Sequence, residues 1–196
     1  MLDRREHLVG REAGEDLALA ERSIALVRQG VLATWAEHPS GDAWLLDLAG
    51  TGHLVTGHGT DLCHIRHHAL TDVLVEELVW EQALASAEVA GALRDQLHWR
   101  EAWAAAMAHS HTEDQLFELL ALLAARFGVV AGSWVRIDVA LTHGLLAAAT
   151  GRTRPTVTRA LQRLRRAGQL TIAGSGPAQR YLLPIAALDS AVRHRP

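Results

Sequence analysis

Arginine, threonine and glutamine side chains lie together on one face of a helix that the pattern predicts between residues 154 and 166. That face consists of Thr158, Arg159, Gln162, Arg163 and Arg166. Guanidinium groups bind phosphates and the edges of guanine, and short hydroxyls bind phosphates. The face therefore has the chemistry for binding in a groove of DNA, although a solvated surface helix can carry the same residue types.

The opposite face of this helix is apolar, and local signals mark both of its ends. Thr153 is its predicted N-cap, and Pro155 falls in the first turn, where a missing N–H does no harm. Gly168 ends the helix by permitting the left-handed conformation. The predicted buried stripe, with the i, i+3, i+4, i+7 spacing of one helix face, consists of Val157, Ala160, Leu161, Leu164 and Ala167.

A shorter helical pattern precedes this helix and is joined to it by a glycine turn over residues 150–153. Thr142 stands ahead of the shorter pattern as a predicted N-cap. Its apolar residues are Leu145, Leu146, Ala148 and Ala149. Two short helices at this spacing indicate a helix-turn-helix.

The distribution of charge favours DNA binding over a merely solvated surface. Residues 139–196 hold nine arginines and one acidic residue, a net charge of +8. Residues 1–138 hold 10 basic and 21 acidic residues, a net charge of −11. Solvation alone does not require such a separation, whereas a polyanionic partner explains it.

Bulk composition excludes several classes of protein. The single cysteine, Cys63, excludes an internal disulfide framework and a four-cysteine cluster. No uninterrupted apolar run approaches the roughly 20 residues of a membrane span, and the charged N-terminus lacks a signal core, so we expect a cytoplasmic protein without a membrane partner. The sequence shows no P-loop, nucleophile elbow or paired carboxylates in a metal-like setting, so we do not expect an enzyme.

The first half of the chain has the texture of a small antiparallel roll or barrel. Residues 1–22 are polar and predict a short helix or a partly ordered leader. Short β-like runs separated by turn residues then follow at residues 24–27, 31–35, 44–48, 53–56, 62–67 and 73–78.

Two helices and a hairpin complete the predicted order. A helix of some 25 residues ends near His109, and its seam of Ala90, Leu93, Leu97, Ala104 and Met107 predicts pairing with a second helix. An ordinary core helix is the alternative.

The next helix starts at a capping box of Thr112 and Gln115 and ends at Gly128, which we interpret as the hinge between body and tail. Residues 133–140 predict a strand. Residues 170–173 and 179–183 predict a hairpin, a wing whose Arg180 could reach a phosphate.

In this order the sequence resembles the Crp/Fnr family of bacterial transcription regulators over nearly its whole length. Residues 141–164 are similar to that family's signature, LT-x-x-x-(L/I)-A-x-x-x-G-x-(S/T)-R-x-T-V-(S/T)-R-x-L-x-x-L. The match of the preceding roll is weaker, motif by motif. The resemblance implies an α+β fold with an N-terminal β-roll like that of cyclic-nucleotide-binding domains, a long dimerisation helix and a C-terminal winged helix-turn-helix. We expect these parts to occupy residues 1–82, 83–110 and 111–196.

The resemblance also assigns partners and DNA-binding residues. It implies a homodimer that reads a palindromic site in double-stranded DNA through two recognition helices, with RNA polymerase as a further partner. Arg154 and Arg159 match base-reading arginines. Pro155 stands where the cyclic-AMP receptor protein has a glutamate, so the half-site should differ at that base. The full candidate set is Thr142, Arg152, Thr153, Arg154, Thr156, Thr158, Arg159, Arg163 and Arg180, of which Thr142, Thr153 and Thr156 match phosphate-contacting positions.

The sensory half departs from the family's cyclic-nucleotide pocket. It lacks the Gly-Glu pair of that pocket, and Leu62 or Cys63 stands where the phosphate-binding arginine belongs, with Arg66 out of register. We therefore expect no cyclic nucleotide, and no cofactor is assigned. The iron–sulfur branch is excluded by the single cysteine.

Histidines crowd around Cys63, and three interpretations of them stay open. They are surface or loop residues, ligands of a metal or haem, or neighbours of a redox-sensing Cys63. The histidines are His53, His58, His64, His67 and His68. The corresponding hypotheses are a regulator that needs no ligand and a sensor gated by haem, metal or another small effector in the roll.

Overall fold

The computed structural model describes residues 8–57 and 62–188, which divide into two compact units between Arg100 and Glu101. The first unit is mainly antiparallel sheet. Its strands are β1 (Leu8–Arg11), β2 (Asp16–Leu17), β3 (Ser23–Gln29), β4 (Leu32–Glu37), β5 (Ala43–Ala49), β6 (Leu54–Thr56), β7 (His64–Ala69) and β8 (Val73–Val79).

These strands form two four-stranded sheets, in the orders β1-β8-β3-β6 and β2-β7-β4-β5. Apolar residues of both sheets share one core, in which Val27 of β3 and Leu32 of β4 are fully buried. The predicted roll is confirmed. The prediction of a helix or leader before residue 22 is wrong for the described part, because β1 pairs with β8 and Leu17 of β2 is buried in the core.

A short helix, α1 (Trp80–Ala83), and the long helix α2 (Ala87–Met107) follow the roll. The first half of α2 packs on the roll through Val89 and Ala92. Gln96 then bonds both backbone groups of Leu54 at 2.8 Å, and the indole of Trp99 donates to Asp47 at 2.5 Å. The roll and this half of α2 are therefore joined by polar as well as apolar contacts.

The second unit contains three helices and a four-stranded sheet. The elements are α3 (Thr112–Phe127), β9 (Gly128–Ala131), β10 (Trp134–Ile137), α4 (His143–Thr150), α5 (Arg154–Arg166), β11 (Thr171–Ala173) and β12 (Arg180–Pro184). Helix α3 packs against α4, α5 and the sheet, whose strand order is β11-β12-β10-β9. The predicted winged helix-turn-helix is confirmed.

Two local predictions about α3 are wrong. Thr112 and Gln115 form no capping box, since His111 is the N-cap and the Gln115 amide donates to the Met107 carbonyl at 2.9 Å. Gly128 is not a hinge between the units, because it begins β9, and α3 before it packs on α5 within the second unit. Among residues 8–57 and 62–188, no helix has the length and apolarity to cross a membrane.

Candidate nucleic-acid interface

Helices α4 and α5 are built by the local signals that their sequence carries. The Thr142 hydroxyl accepts from the Leu145 N–H at 3.0 Å, and the Thr153 hydroxyl accepts from the Thr156 N–H at 3.4 Å. Gly151 ends α4 with φ +63°, a conformation that costs glycine little. Both predicted caps are confirmed, so the turn between the helices is set by residues within it.

The apolar stripe of α5 fixes which face remains outside. Val157, Ala160, Leu161 and Leu164 are all buried, whereas Ala167 is exposed because it lies beyond the last helical turn as the C-cap. In α4 the predicted Ala148 is only half-buried, and Ala147 is buried. The outer face of α5 is thus the arginine-rich face that the pattern predicted.

Arg154 and Arg159 are exposed on this face, and no described residue pairs with either guanidinium. Arg154 is the first residue of α5, and Arg159 lies five residues on. Thr158, between them, donates to the Arg154 carbonyl at 2.9 Å. Two long cations therefore project from the N-terminal half of α5 without competition from an acidic partner.

Three other candidate arginines already have partners within the second unit. Arg152 donates to the Gln115 amide oxygen at 3.1 Å, and Arg163 forms an ion pair with Glu113. The hydrogen bond from Arg163 lowers the pKa of the Glu113 carboxyl. Arg180 of the wing lies 3.8 Å from Asp138. These side chains have a role within the fold that the sequence did not indicate.

Tyr181 of β12 is the buried residue that holds the wing in place. Its side chain is fully buried, its hydroxyl bonds Gln179 at 2.9 Å, and burial raises its pKa to about 12. Strands β11 and β12 pair in register from Thr171 with Leu182 to Ala173 with Arg180. The turn between them therefore projects from a fixed base beside α5.

Residues 115–186 match the model of the Crp-like helix-turn-helix domain. These residues are a Crp-like helix-turn-helix domain. A global nitrogen regulator from Synechocystis sp. (strain ATCC 27184 / PCC 6803 / Kazusa) is 41% identical over 66 residues, 34% of this chain and 29% of that protein. The sequence match thus spans less than a third of the regulator.

Solved structures extend the likeness of the fold to nearly the whole chain. A CRP-family transcriptional regulator from Thermus thermophilus superposes with a TM-score of 0.73 and 22% identity, covering 93% of this chain and 95% of that one. A cyclic nucleotide-binding domain containing protein from Listeria monocytogenes EGD-e gives 0.75 at 13% identity, covering 97% and 94%. These structures show the fold, and together with the match of residues 115–186 they confirm the predicted resemblance to the Crp/Fnr family.

Outside the Crp-like domain, Arg66 of the roll is engaged by its neighbours. Its guanidinium donates to Glu37 at 2.7 Å and to Asp16 at 3.1 Å, and it lies 5.8 Å from the centre of the Trp35 ring. Leu62 and Cys63 are the two residues aligned with the family's phosphate-binding arginine. Leu62 is 76% exposed and Cys63 is half-buried, and neither is an arginine.

The histidines near Cys63 do not share one environment. His53 and His67 are both buried. His53 lies in the loop before β6, as the surface or loop interpretation allows, whereas that interpretation is wrong for His67, which lies in β7. His67 bonds the Thr34 hydroxyl and the Thr56 carbonyl, both at 3.1 Å, because the pairing of β7 with β4 directs it inward. His58 lies outside the described residues. Within the described part of the chain, no three His, Cys, Asp or Glu side chains are grouped to hold a metal ion.

Proposed function

We propose that this protein is a sequence-specific DNA-binding transcription regulator of the Crp/Fnr type that acts as a homodimer without cyclic nucleotide. The pair of exposed arginines without described partners, Arg154 and Arg159 on the capped helix α5, carries the proposal. An arginine held by an acidic neighbour would have to break that contact to bind a base. These two can each hold the O6 and N7 edge of a guanine directly.

The threonines supply contacts to the DNA backbone. The Thr142 oxygen accepts the cap hydrogen bond from Leu145, so its own proton remains available for a phosphate. The Thr153 and Thr156 hydroxyls are 2.9 Å apart and form one hydrogen bond, which uses one of their two protons. The second hydroxyl proton can be donated to a phosphate. Arg163 and the wing's Arg180 add contacts at the rim, and Arg152 contributes chiefly by holding the turn to α3. Thr158 can add a phosphate contact only if its proton leaves the Arg154 carbonyl.

Homodimerisation through residues 83–110 is supported by the two faces of α2. One face is buried within the chain, through Val89, Gln96 and Trp99. The predicted seam lies elsewhere on the helix, where Leu93 is 39% exposed and Leu97 is 57% exposed. Exposed leucines at coiled-coil spacing on a 21-residue helix favour a second α2 as the partner.

Contacts within the first unit support the proposal that the protein acts without cyclic nucleotide. Arg66, which follows the positions aligned with the family's phosphate-binding arginine, is paired with Glu37 and Asp16. The chain's own Gln96 and Trp99 satisfy the polar groups between α2 and the roll. We infer that the amount of protein in the cell, and not a bound ligand, sets its activity. We further infer that it acts in the cytoplasm together with RNA polymerase and that it catalyses no reaction.

Selection of bound duplexes from random DNA tests the proposal. The full-length protein should enrich a palindrome whose half-sites lie about 10 base pairs apart and whose half-site lacks the base that a glutamate at position 155 would read. Cell extract or added cyclic AMP should leave the enriched sequence and its affinity unchanged. Enrichment of no sequence would contradict the function, and enrichment only with extract would support the ligand-gated alternative.

A further inference from the structure

A hollow with several polar side chains in its wall lies between the start of α4, the recognition helix α5 and the wing. It has two adjoining parts that share His143 and Gln179. One part also contains Thr158 and Arg165, and the other also contains Thr142 and Arg154. His143 is half-buried at the meeting point of the two parts.

Hydrogen bonds fix the orientation of the His143 ring. Its Nδ1 lies 2.8 Å from the Thr158 hydroxyl, and that hydroxyl donates its single proton to the Arg154 carbonyl at 2.9 Å. Nδ1 must therefore carry a proton and donate to Thr158. The remaining nitrogen, Nε2, makes no hydrogen bond with a described residue, so its protonation state alone decides whether the hollow offers a donor there.

The charges that face His143 are positive. Arg154 and Arg165 of α5 line the two parts of the hollow, and no carboxylate is among the described lining residues from the segment before α4, from α5 or from the wing. Burial and the charge of Arg154 lower the pKa of His143. Burial and the neighbouring arginine therefore favour the neutral form of the ring in the free protein.

We propose that His143 is a phosphate-binding residue, whose protonated Nε2 donates to a phosphodiester of the DNA backbone lodged between α5 and the wing. This inference rests on the proposed DNA binding and assigns one further contact to it. A phosphate beside Arg165 and His143 balances their positive charges while Arg154 remains free to read a base, and the Thr142 and Gln179 side chains offer further donors. Binding then takes up one proton for each recognition helix.

The direction of the pH dependence follows from that proton. A nearby anion raises the pKa of His143 in the complex above its lowered value in the free protein. Affinity for DNA therefore rises as the pH falls through the range between these two values, and it levels off below it. One proton changes the affinity by at most about tenfold per pH unit for each recognition helix.

Fluorescence anisotropy with the selected duplex at about pH 6 and about pH 8, at constant ionic strength, tests the proposal. The wild type should bind at least about threefold more tightly at the lower pH for each recognition helix, and calorimetry in buffers of different ionisation enthalpy should show proton uptake. His143→Gln should lose this uptake. His143→Arg should bind tightly at both pH values, since its charge is permanent, whereas a merely structural role would predict loss of binding in both variants.

His64→Gln, which removes an exposed histidine of β7, is the matched control and should keep the wild-type pH dependence. The same pH dependence in His143→Gln as in the wild type would overturn the proposal. Saturable binding of inorganic phosphate at His143 without DNA, followed by NMR, would assign the hollow to a free anion and also overturn it. Failure of the wild type to bind DNA at any pH would contradict the proposed function instead.

Discussion

At the scale of single residues, the arginines of the Crp-like domain fall into two groups by their contacts. Arg152 and Arg163 are held by Gln115 and Glu113 of α3, so they stabilise the domain in the absence of DNA. Arg154 and Arg159 have no such partner among the described residues. Composition and spacing count all four alike. The family resemblance singles out Arg154 and Arg159, and the tertiary contacts supply a physical reason for that choice.

We expect Arg159→Ala to cost about 1–3 kcal/mol of binding free energy on the selected duplex and to relax discrimination at one base pair. The reason is the loss of two hydrogen bonds to one guanine. Competition titrations against duplexes substituted at each half-site position measure both effects.

Arg22→Ala is the control for charge, because it removes an exposed arginine from the first unit and should leave discrimination intact. An equal loss of affinity on selected and random duplexes in Arg159→Ala would make Arg159 a backbone contact and contradict base reading.

At the scale of elements, the predictable parts are those whose signals lie within a few residues of each other. The caps of α4 and α5 depend on Thr142 and Thr153 contacting an N–H three residues on, which sequence spacing reveals. The inward direction of His67, by contrast, depends on Thr34, a partner distant in the chain. Gln115 was predicted to be part of a helix cap. Its side chain instead donates to the Met107 carbonyl and accepts from Arg152, and no local sequence pattern indicates these contacts.

Helix α2 gives the clearest prediction for a whole element. Leu97→Asp places a charge in the exposed seam without disturbing the buried face of Gln96 and Trp99. We expect the protein to become monomeric in sedimentation velocity and to lose at least about tenfold in affinity for the palindrome, since the two half-sites are no longer bound by one particle.

Leu46→Asp supplies the matched control, because Leu46 is 45% exposed but lies in β5, outside residues 83–110. Its sedimentation and its affinity should equal those of the wild type. A dimer that survives Leu97→Asp with full affinity would exclude pairing through this seam.

At the scale of the molecule, charge is separated along the chain, with a net of −11 over residues 1–138 and +8 over residues 139–196. The acidic part repels a duplex, and the basic part attracts it, so the separation favours approach through the Crp-like domain. The small total charge of −3 conceals this separation. Attachment to DNA should therefore depend on local pairs of arginine and phosphate rather than on net charge.

The salt dependence of DNA binding tests whether attachment depends on pairs of arginine and phosphate. Each phosphate that an arginine neutralises releases condensed counterions, so the logarithm of the binding constant falls with the logarithm of salt by about 0.9 per phosphate. A dimer that neutralises about six phosphates should show a slope of about −5 in anisotropy titrations.

Arg166→Ala, which removes an exposed cation from the end of α5 in each protomer, should flatten the slope by about two on selected and random duplexes alike. Arg94→Ala removes an equal charge beside Asp95 in α2 and should leave the slope unchanged. A slope near zero would mean that the basic part of the chain does not bind the DNA backbone, and the charge separation would then need another explanation.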